Sequence, residues 1–447
     1  MHTEAFKTLK LAGPIIVGEL AQMALHIVDA AMVGTISYKH LAAAALVLNV
    51  MNIPFILGIG MTISVSQLVS LSNGRNDVPA VSHYFFNGFL LCTCTAVFIS
   101  VSLVLGRGVL AHLGQDAEVV ALALPFMKLL GLSVIPMILF MALKQFADGL
   151  EYTKTAMLLS LLALPVNILL NWLLIYGNWG FPRMELTGAG WATIITRTLI
   201  FVALGVVIFR HPIFQKYMAE RHAQWRLNRK TWSRLLAIGI PSSLQIGMEA
   251  GAFALSGILI GTISVVAQAA HQIALSCASF TFMVSLGLAQ ACSIRTSNAL
   301  GNGDWLRIKK IGASTLLVAL IYGVVCAFGF ALLKNWLPPF FNSNAEVLQL
   351  AGVLLLLAAV FQISDSTQTI GAGLLRGIKD VTLPTFLIAI AYWVVGLPVG
   401  YFLAVKYKLG AQGLWLGLIL GLTLSSILLI LRFRGRVVKQ LAVAGAS

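Results

Sequence analysis

Three acids stand where acids are costly. Of the fifteen carboxylates in this 447-residue chain, Asp29, Glu249 and Asp365 lie well inside long apolar stretches, and Glu19 lies early in the first of them. A charge at bilayer depth costs roughly 2.5–3.5 kcal/mol or more, so it faces a cavity or a partner and marks a functional candidate. Their neighbours are polar at helical spacing. Gln22, His26 and Asp29 share one stripe, Asn167 and Asn171 are at i,i+4, Gln245 and Glu249 are at i,i+4, and Gln362, Asp365 and Gln368 share a face, while Gln268, His271 and Gln272 recur in another stretch. Each amide has a plain alternative, a helix–helix hydrogen bond. His26 and His271 read as hydrogen-bonded packing residues rather than titrating groups. Burial disfavours the charged form of a carboxylate and a nearby cation favours it. Such a group takes up a proton or a sodium ion in one conformation and releases it in another. A cationic substrate competes for the same charge, and that competition is a mechanism for antiport. A membrane potential drives it, at about 2.3 kcal/mol per charge per 100 mV.

These acids need helices to position them. The chain is 59% hydrophobic and only 10% charged, where a soluble chain carries about 25% charged residues. Apolar stretches of about twenty residues recur along it, the length of a bilayer crossing. The expected spans are 10–34, 41–71, 83–106, 119–148, 156–178, 189–210, 232–261, 265–294, 308–337, 345–374, 382–405 and 411–433. Short alternating strands are missing, which argues against a barrel. The net charge of +15 does not point to nucleic acid, because the basic residues cluster in connections and tails. Counting alternate loops with the two termini puts 22 of 30 on one side, among them Lys144, Arg295, Arg376 and Lys379, and the other side has six. Both termini are therefore expected in the cytoplasm of a bacterial inner (plasma) membrane protein. Segment 210–234, with seven basic residues, reads as a cytoplasmic linker between an amino lobe, 1–209, and a carboxyl lobe, 235–447. Cys92, Cys94, Cys277, Cys292 and Cys326 read as small packing residues, without metal or disulfide spacing. No cleavable signal pattern precedes the first span.

The chain also repeats itself. A shift of 227 places Pro14 on Pro241, Gly34-Thr35-Ile36-Ser37 on Gly261-Thr262-Ile263-Ser264, Gly60 on Gly287 and Asp77 on Asp304, with no gap across 14–77. Six helices per half give a parallel repeat with its axis along the membrane normal. The expected fold is all-α, with about twelve transmembrane helices in two six-helix bundles around a central cavity. The acids do not repeat: Asp29 meets Ser256, Glu249 meets Gln22, Asp365 meets Phe140, and Asn167 meets Tyr392. The scaffold was retained while the chemistry diverged. Pro14 and Pro241 sit early in the first helix of each half, where a missing amide hydrogen permits bending or leaves a static kink.

Over essentially its whole length the chain resembles the multidrug and toxic compound extrusion family, in its bacterial NorM-type branch. The resemblance is carried by Leu11-Ala12-Gly13-Pro14, Val28-Asp29-Ala30-Ala31-Met32-Val33-Gly34, Ala269-Ala270-His271-Gln272, the segment Gly373–Asp380, and the spacing of Glu249 to Asp365. It implies export of cationic amphipathic drugs, dyes or fluoroquinolones against H⁺ or Na⁺, with no cofactor, by a monomer in membrane lipid. It also implies an amino-lobe site at Asp29, Asn167 and Asn171, and a carboxyl-lobe cation site, open to Na⁺, at Glu249 and Asp365. Gln22, His26, Gln245, Gln272, Gln362 and Gln368 would line the substrate path. The chain departs from the pattern at Arg197, placed to pair with Asp29, at Phe361, where a cation-site tyrosine is expected, and at Glu19, which matches no family acid. A lipid-linked sugar flippase, which favours a cationic cavity, and a channel or receptor are the alternatives. No nucleophile–base set, phosphate loop or metal motif suggests an enzyme.

Overall fold

The computed structural model describes residues 2–112 and 114–445. The first half runs through α1 (His2–Gly34), α2 (Tyr38–Gly74), α3 (Val78–Gly106), α4 (Ala117–Gly149), α5 (Lys154–Leu174) and α6 (Glu185–Arg210). Short helices α7 (Pro212–Ala219) and α8 (Arg221–Gln224) fill the basic linker. The second half runs through α9 (Arg229–Gly261), α10 (Val265–Gly301), α11 (Trp305–Leu333), α12 (Ala345–Gly377), α13 (Thr382–Ala389), α14 (Leu397–Val405) and α15 (Ala411–Gly445). A π-helical stretch, Ile390–Gly396, joins α13 to α14 within one span. Among the described residues, twelve spans are long and apolar enough to cross a bilayer and no strand occurs. The fold is that of an all-α membrane protein.

The helices outlast the apolar windows that announce them. α1 begins at His2 rather than 10, α10 continues to Gly301 rather than 294, and α15 to Gly445 rather than 433. A helix satisfies its own backbone in water as well as in lipid, so good helix formers carry it past the hydrocarbon edge. The ends that are capped repeat across the halves. Ser37 accepts from the His40 amide and Ser264 from the Ala267 amide, opening α2 and α10. Asp77 and Asp304 likewise open α3 and α11, accepting from Ala80 and Arg307 at 3.0 and 2.8 Å. The gapless repeat seen in sequence therefore includes the capping chemistry.

By compactness the chain divides into Val17–Ser243 and a second unit of Met1–Ile16 with Leu244–Ser447. The divisions fall within α1 and α9 at positions related by the 227 shift, two residues after Pro14 and Pro241. Within Val17–Ser243, the start of α9 packs on α2. A Cβ on Gly60 would lie 2.0 Å from Ser243 Oγ, which donates to the Leu57 and Gly239 carbonyls at 3.1 and 2.9 Å. Within the other unit, the start of α1 packs on α10, where a Cβ on Gly287 would lie 2.5 Å from Ile16 Cγ1. Gly60 and Gly287 are repeat mates, as are Ser243 and Ile16. Small residues at such crossings let backbones approach where lipid supplies no hydrophobic drive.

The leading turns are fastened differently. On α3, His83 bonds the Gln224 carbonyl through Nδ1 and Thr231 Oγ1 through Nε2, both at 2.9 Å, and Asn87 Nδ2 donates to the Arg226 carbonyl at 3.0 Å. On α10, Arg295 donates to the Glu4 carbonyl at 2.6 Å, to Thr8 Oγ1 at 2.5 Å and to the Glu4 carboxylate. Arg295 is only 2% exposed. Its expected place among the loop cations is corrected: it is a buried tether, because α10 continues a further two turns into its polar end.

Candidate ion-coupling site

In the Val17–Ser243 unit, α1 and α5 bring Asp29 to two asparagines. Asn167 and Asn171 lie one turn apart on α5 and are fully buried. Asn171 Nδ2 donates to Asp29 Oδ1 at 2.6 Å and to Asn167 Oδ1 at 3.0 Å. Asn167 Nδ2 and Asn171 Oδ1 have no partner. Leaving buried polar atoms unpaired costs about 1–3 kcal/mol each, an arrangement that suits a transient occupant better than a packed core. Gln22 is half-buried and His26 is exposed, and neither joins this network. His26 is thus not the hydrogen-bonded packing residue expected of it: its ring makes no hydrogen bond among the described residues. The expected Arg197–Asp29 pair is also absent among the described residues. Asn171 occupies Asp29, and Arg197 Nη1 donates instead to Ser133 Oγ on α4, at 2.7 Å.

In the other unit, α9 supplies Glu249, α12 supplies Gln362, Asp365 and Gln368, and the π-helical stretch supplies Tyr392. Gln368 Nε2 reaches Glu249 Oε2 at 3.5 Å, while Gln368 Oε1 accepts from the Tyr392 hydroxyl at 2.7 Å. Asp365 is 2% exposed and its Oδ2 has no partner. Gln362, one turn earlier, is fully buried with neither amide atom bonded. Gln245 is buried outside these bonds and Gln272 is exposed. Phe361 packs edge-on against Phe253 and Trp415, with ring centroids 5.7 and 5.8 Å away. The phenol near the acids therefore comes from Tyr392. His271 does behave as a packing residue, accepting from Trp415 Nε1 at 3.2 Å. Pro398, near the start of α14, has no amide hydrogen to return to the preceding turn, which permits the wider π spacing around Tyr392.

Three other enclosed acids are ion-paired and these are not. Glu19, unplaced by sequence, meets Lys144 at 2.6 Å, Asp380 meets Arg432 at 2.8 Å and Arg436 at 3.0 Å, and Glu4 meets Arg295. Among the described residues, Asp29, Glu249 and Asp365 make no such pair. Lys144 corrects the loop count: it lies inside α4, 9% exposed, one turn before the fully buried Asp148. That i,i+4 couple was visible in sequence. So was Tyr392, as the repeat mate of Asn167.

The sequence profile of the MatE family matches residues 14–173 and 241–402. Its two spans start at Pro14 and Pro241, the shift of the internal repeat. The chain belongs to the MatE family. It is a transporter rather than an enzyme, and a multi-pass protein of the inner membrane. This MatE chain is 33% identical over 455 residues to the probable multidrug resistance protein NorM of Brucella suis, covering 99% of this chain and 95% of that one. It is 34% identical over 438 residues to the probable NorM of Bradyrhizobium diazoefficiens, covering 96% and 93%. Its fold matches the eukaryotic MATE transporter AtDTX14 with a TM-score of 0.87 at 20% identity, over 98% of both chains. It also matches an outward-facing multidrug resistance MATE family transporter of the MOP superfamily, with a TM-score of 0.90 at 19% identity over 98% and 96%.

Proposed function

We propose that the chain is a multidrug exporter that moves cationic amphipathic compounds outward in exchange for H⁺ or Na⁺. The observation that carries this reading is the absence, among the described residues, of an ion partner at Asp29, Glu249 and Asp365, when Glu4, Glu19 and Asp380 each have one. A buried acid that the protein itself does not neutralise calls for a neutralising guest. A proton or sodium ion fills that role in one step and an organic cation in the next. Glu249 and Asp365, with the Gln368 and Tyr392 oxygens nearby, form the cation subsite. Asp29, with Asn167 and Asn171, forms the amino-unit subsite. Pro14 and Pro241 are the bending points of α1 and α9. The multidrug names of the NorM relatives support the substrate class. The coupling ion is the only co-substrate, the protomer works alone in lipid, and both termini are cytoplasmic.

Ethidium efflux from cells tests this directly, comparing the parent with Glu249→Gln, Asp365→Asn and Asp29→Asn at matched membrane levels. Na⁺ and pH are varied separately. The parent responds to one of the two gradients and the variants lose that response. Undiminished efflux in all three variants would sink the acid-site reading.

A further inference from the structure

The coupling scheme leaves Arg197 of the Val17–Ser243 unit unused. Arg197 stands at the middle of α6, twelve residues past Glu185 and thirteen before Arg210, so about 18–20 Å of helix separates it from either end. A guanidinium at that depth costs roughly 2.5–3.5 kcal/mol on the mildest scale, and such groups pair or face a water-filled path. Lys144 and Arg295 follow this rule, each meeting a carboxylate. Arg197 does not. Its one hydrogen bond among the described residues goes to Ser133 Oγ, and no carboxylate lies within ion-pair distance. Ser133 is fully buried and spends its own hydroxyl hydrogen on the Leu130 carbonyl at 2.7 Å, so it is a neutral prop that aims the guanidinium.

Asp29 lies on the same side of this unit. The turns at this end are tied together: Thr35, just past α1, lies 2.7 Å (Oγ1 to Oη) from Tyr176, just past α5, and His40 at the start of α2 lies 3.1 Å (Nε2 to Oε2) from Glu185 at the start of α6, so the end of α1 and the start of α6 share one face of the unit. Asp29 is five residues before Gly34 and Arg197 twelve after Glu185, an axial offset of about 10 Å. α6 packs on α5, whose Asn171 holds Asp29. The unit thus presents an acid with spare amide groups and, deeper, a base held by a single neutral bond.

We propose that this unit holds a bipolar substrate subsite, with Asp29 receiving an amine and Arg197 the carboxylate of the same molecule. Arg197 makes the transporter prefer zwitterionic amphiphiles whose two charged groups are about a nanometre apart. The proposal deepens the export reading and rests on it. The planar fork of arginine suits a carboxylate at two points, which lysine cannot reproduce.

Purified full-length protein in liposomes, with an imposed gradient, separates the two ideas. The probes are ciprofloxacin, which carries amine and carboxylate, its methyl ester, which keeps only the amine, and ethidium. The readout is the ratio of acid to ester transport. Arg197→Gln is expected to lower that ratio at least tenfold, and Arg197→Lys to lower it about threefold. An unchanged ratio in either variant overturns the proposal. So does an equal loss of both probes, because a packing role would not distinguish them. Should Arg197→Gln fail to accumulate, the Arg197→Lys ratio decides alone. Failure of the parent to move the ester or ethidium strikes the export reading instead.

Discussion

The two compact units share a scaffold and differ in what they do with charge. In Val17–Ser243 the acid is held by amides: Asn171 and Asn167 chain back from Asp29 with no ion among them. In the other unit, Glu249 and Asp365 are enclosed together with a glutamine, a tyrosine and an unbonded Gln362. The fastenings differ as well. The first turn of α9 and the linker before it are tied to α3 by neutral bonds of His83 and Asn87, while the leading turns of α1 are tied to α10 by the Arg295–Glu4 pair. Duplication preserves what any six-helix unit needs, namely caps, glycine crossings and early prolines. It leaves the polar interior free to diverge, since an amide or an acid there answers to a ligand rather than to packing.

That contrast can be broken by experiment. The largest effect is expected for the Glu249→Gln, Asp365→Asn double variant, which removes gradient-driven efflux to background. Asp29→Asn keeps the amide geometry and lowers efflux about tenfold, the equivalent of 1.4 kcal/mol. Equal losses in the two units would mean that their acids do the same job. Next come the tethers. Arg295→Met leaves the partly buried Glu4 carboxylate with only its longer contacts to Lys7 and Arg307, both at 4.0 Å, at a cost of about 2 kcal/mol, whereas Thr231→Val in the other unit costs about 1 kcal/mol. Thermal unfolding of the purified proteins ranks them, and the reverse order would deny the ionic character of the first tether. Lys144→Met is expected to destabilise by about 2–3 kcal/mol, and adding Glu19→Gln recovers part of it, since a lone buried charge is worse than none and Asp148 still lacks the cation one turn away. A double-mutant cycle measures the coupling, and an additive result would remove the pair from the account. The smallest effect tests the shared scaffold: Ser37→Ala and Ser264→Ala should each cost about 1 kcal/mol and match within a few tenths. A wide disparity in melting temperature would show that the caps are not equivalent.

Much of this architecture follows from one-dimensional signals. Hydropathy locates twelve spans because lipid contact demands about twenty apolar residues, and the 227 shift exposes the duplication because turns, caps and glycine crossings are local requirements. The acids stand out for the same reason, since each is conspicuous against its apolar surroundings. Helix ends were less readable, because hydropathy stops at the hydrocarbon edge and the hydrogen-bond ladder does not.

What the amino-acid order determined by itself was therefore the membrane class, the duplicated plan, the family and the three exceptional carboxylates. Only the tertiary structure decided partners. It gave Asn171 to Asp29, Ser133 to Arg197, Lys144 to Glu19, Tyr392 to Gln368 and Arg295 to Glu4. These choices join helices far apart in the chain, and periodicity along one helix names the face a side chain occupies but not the residue that meets it. Whether an acid is a tether or a guest site depends on whether a base comes within reach, and that is settled by packing.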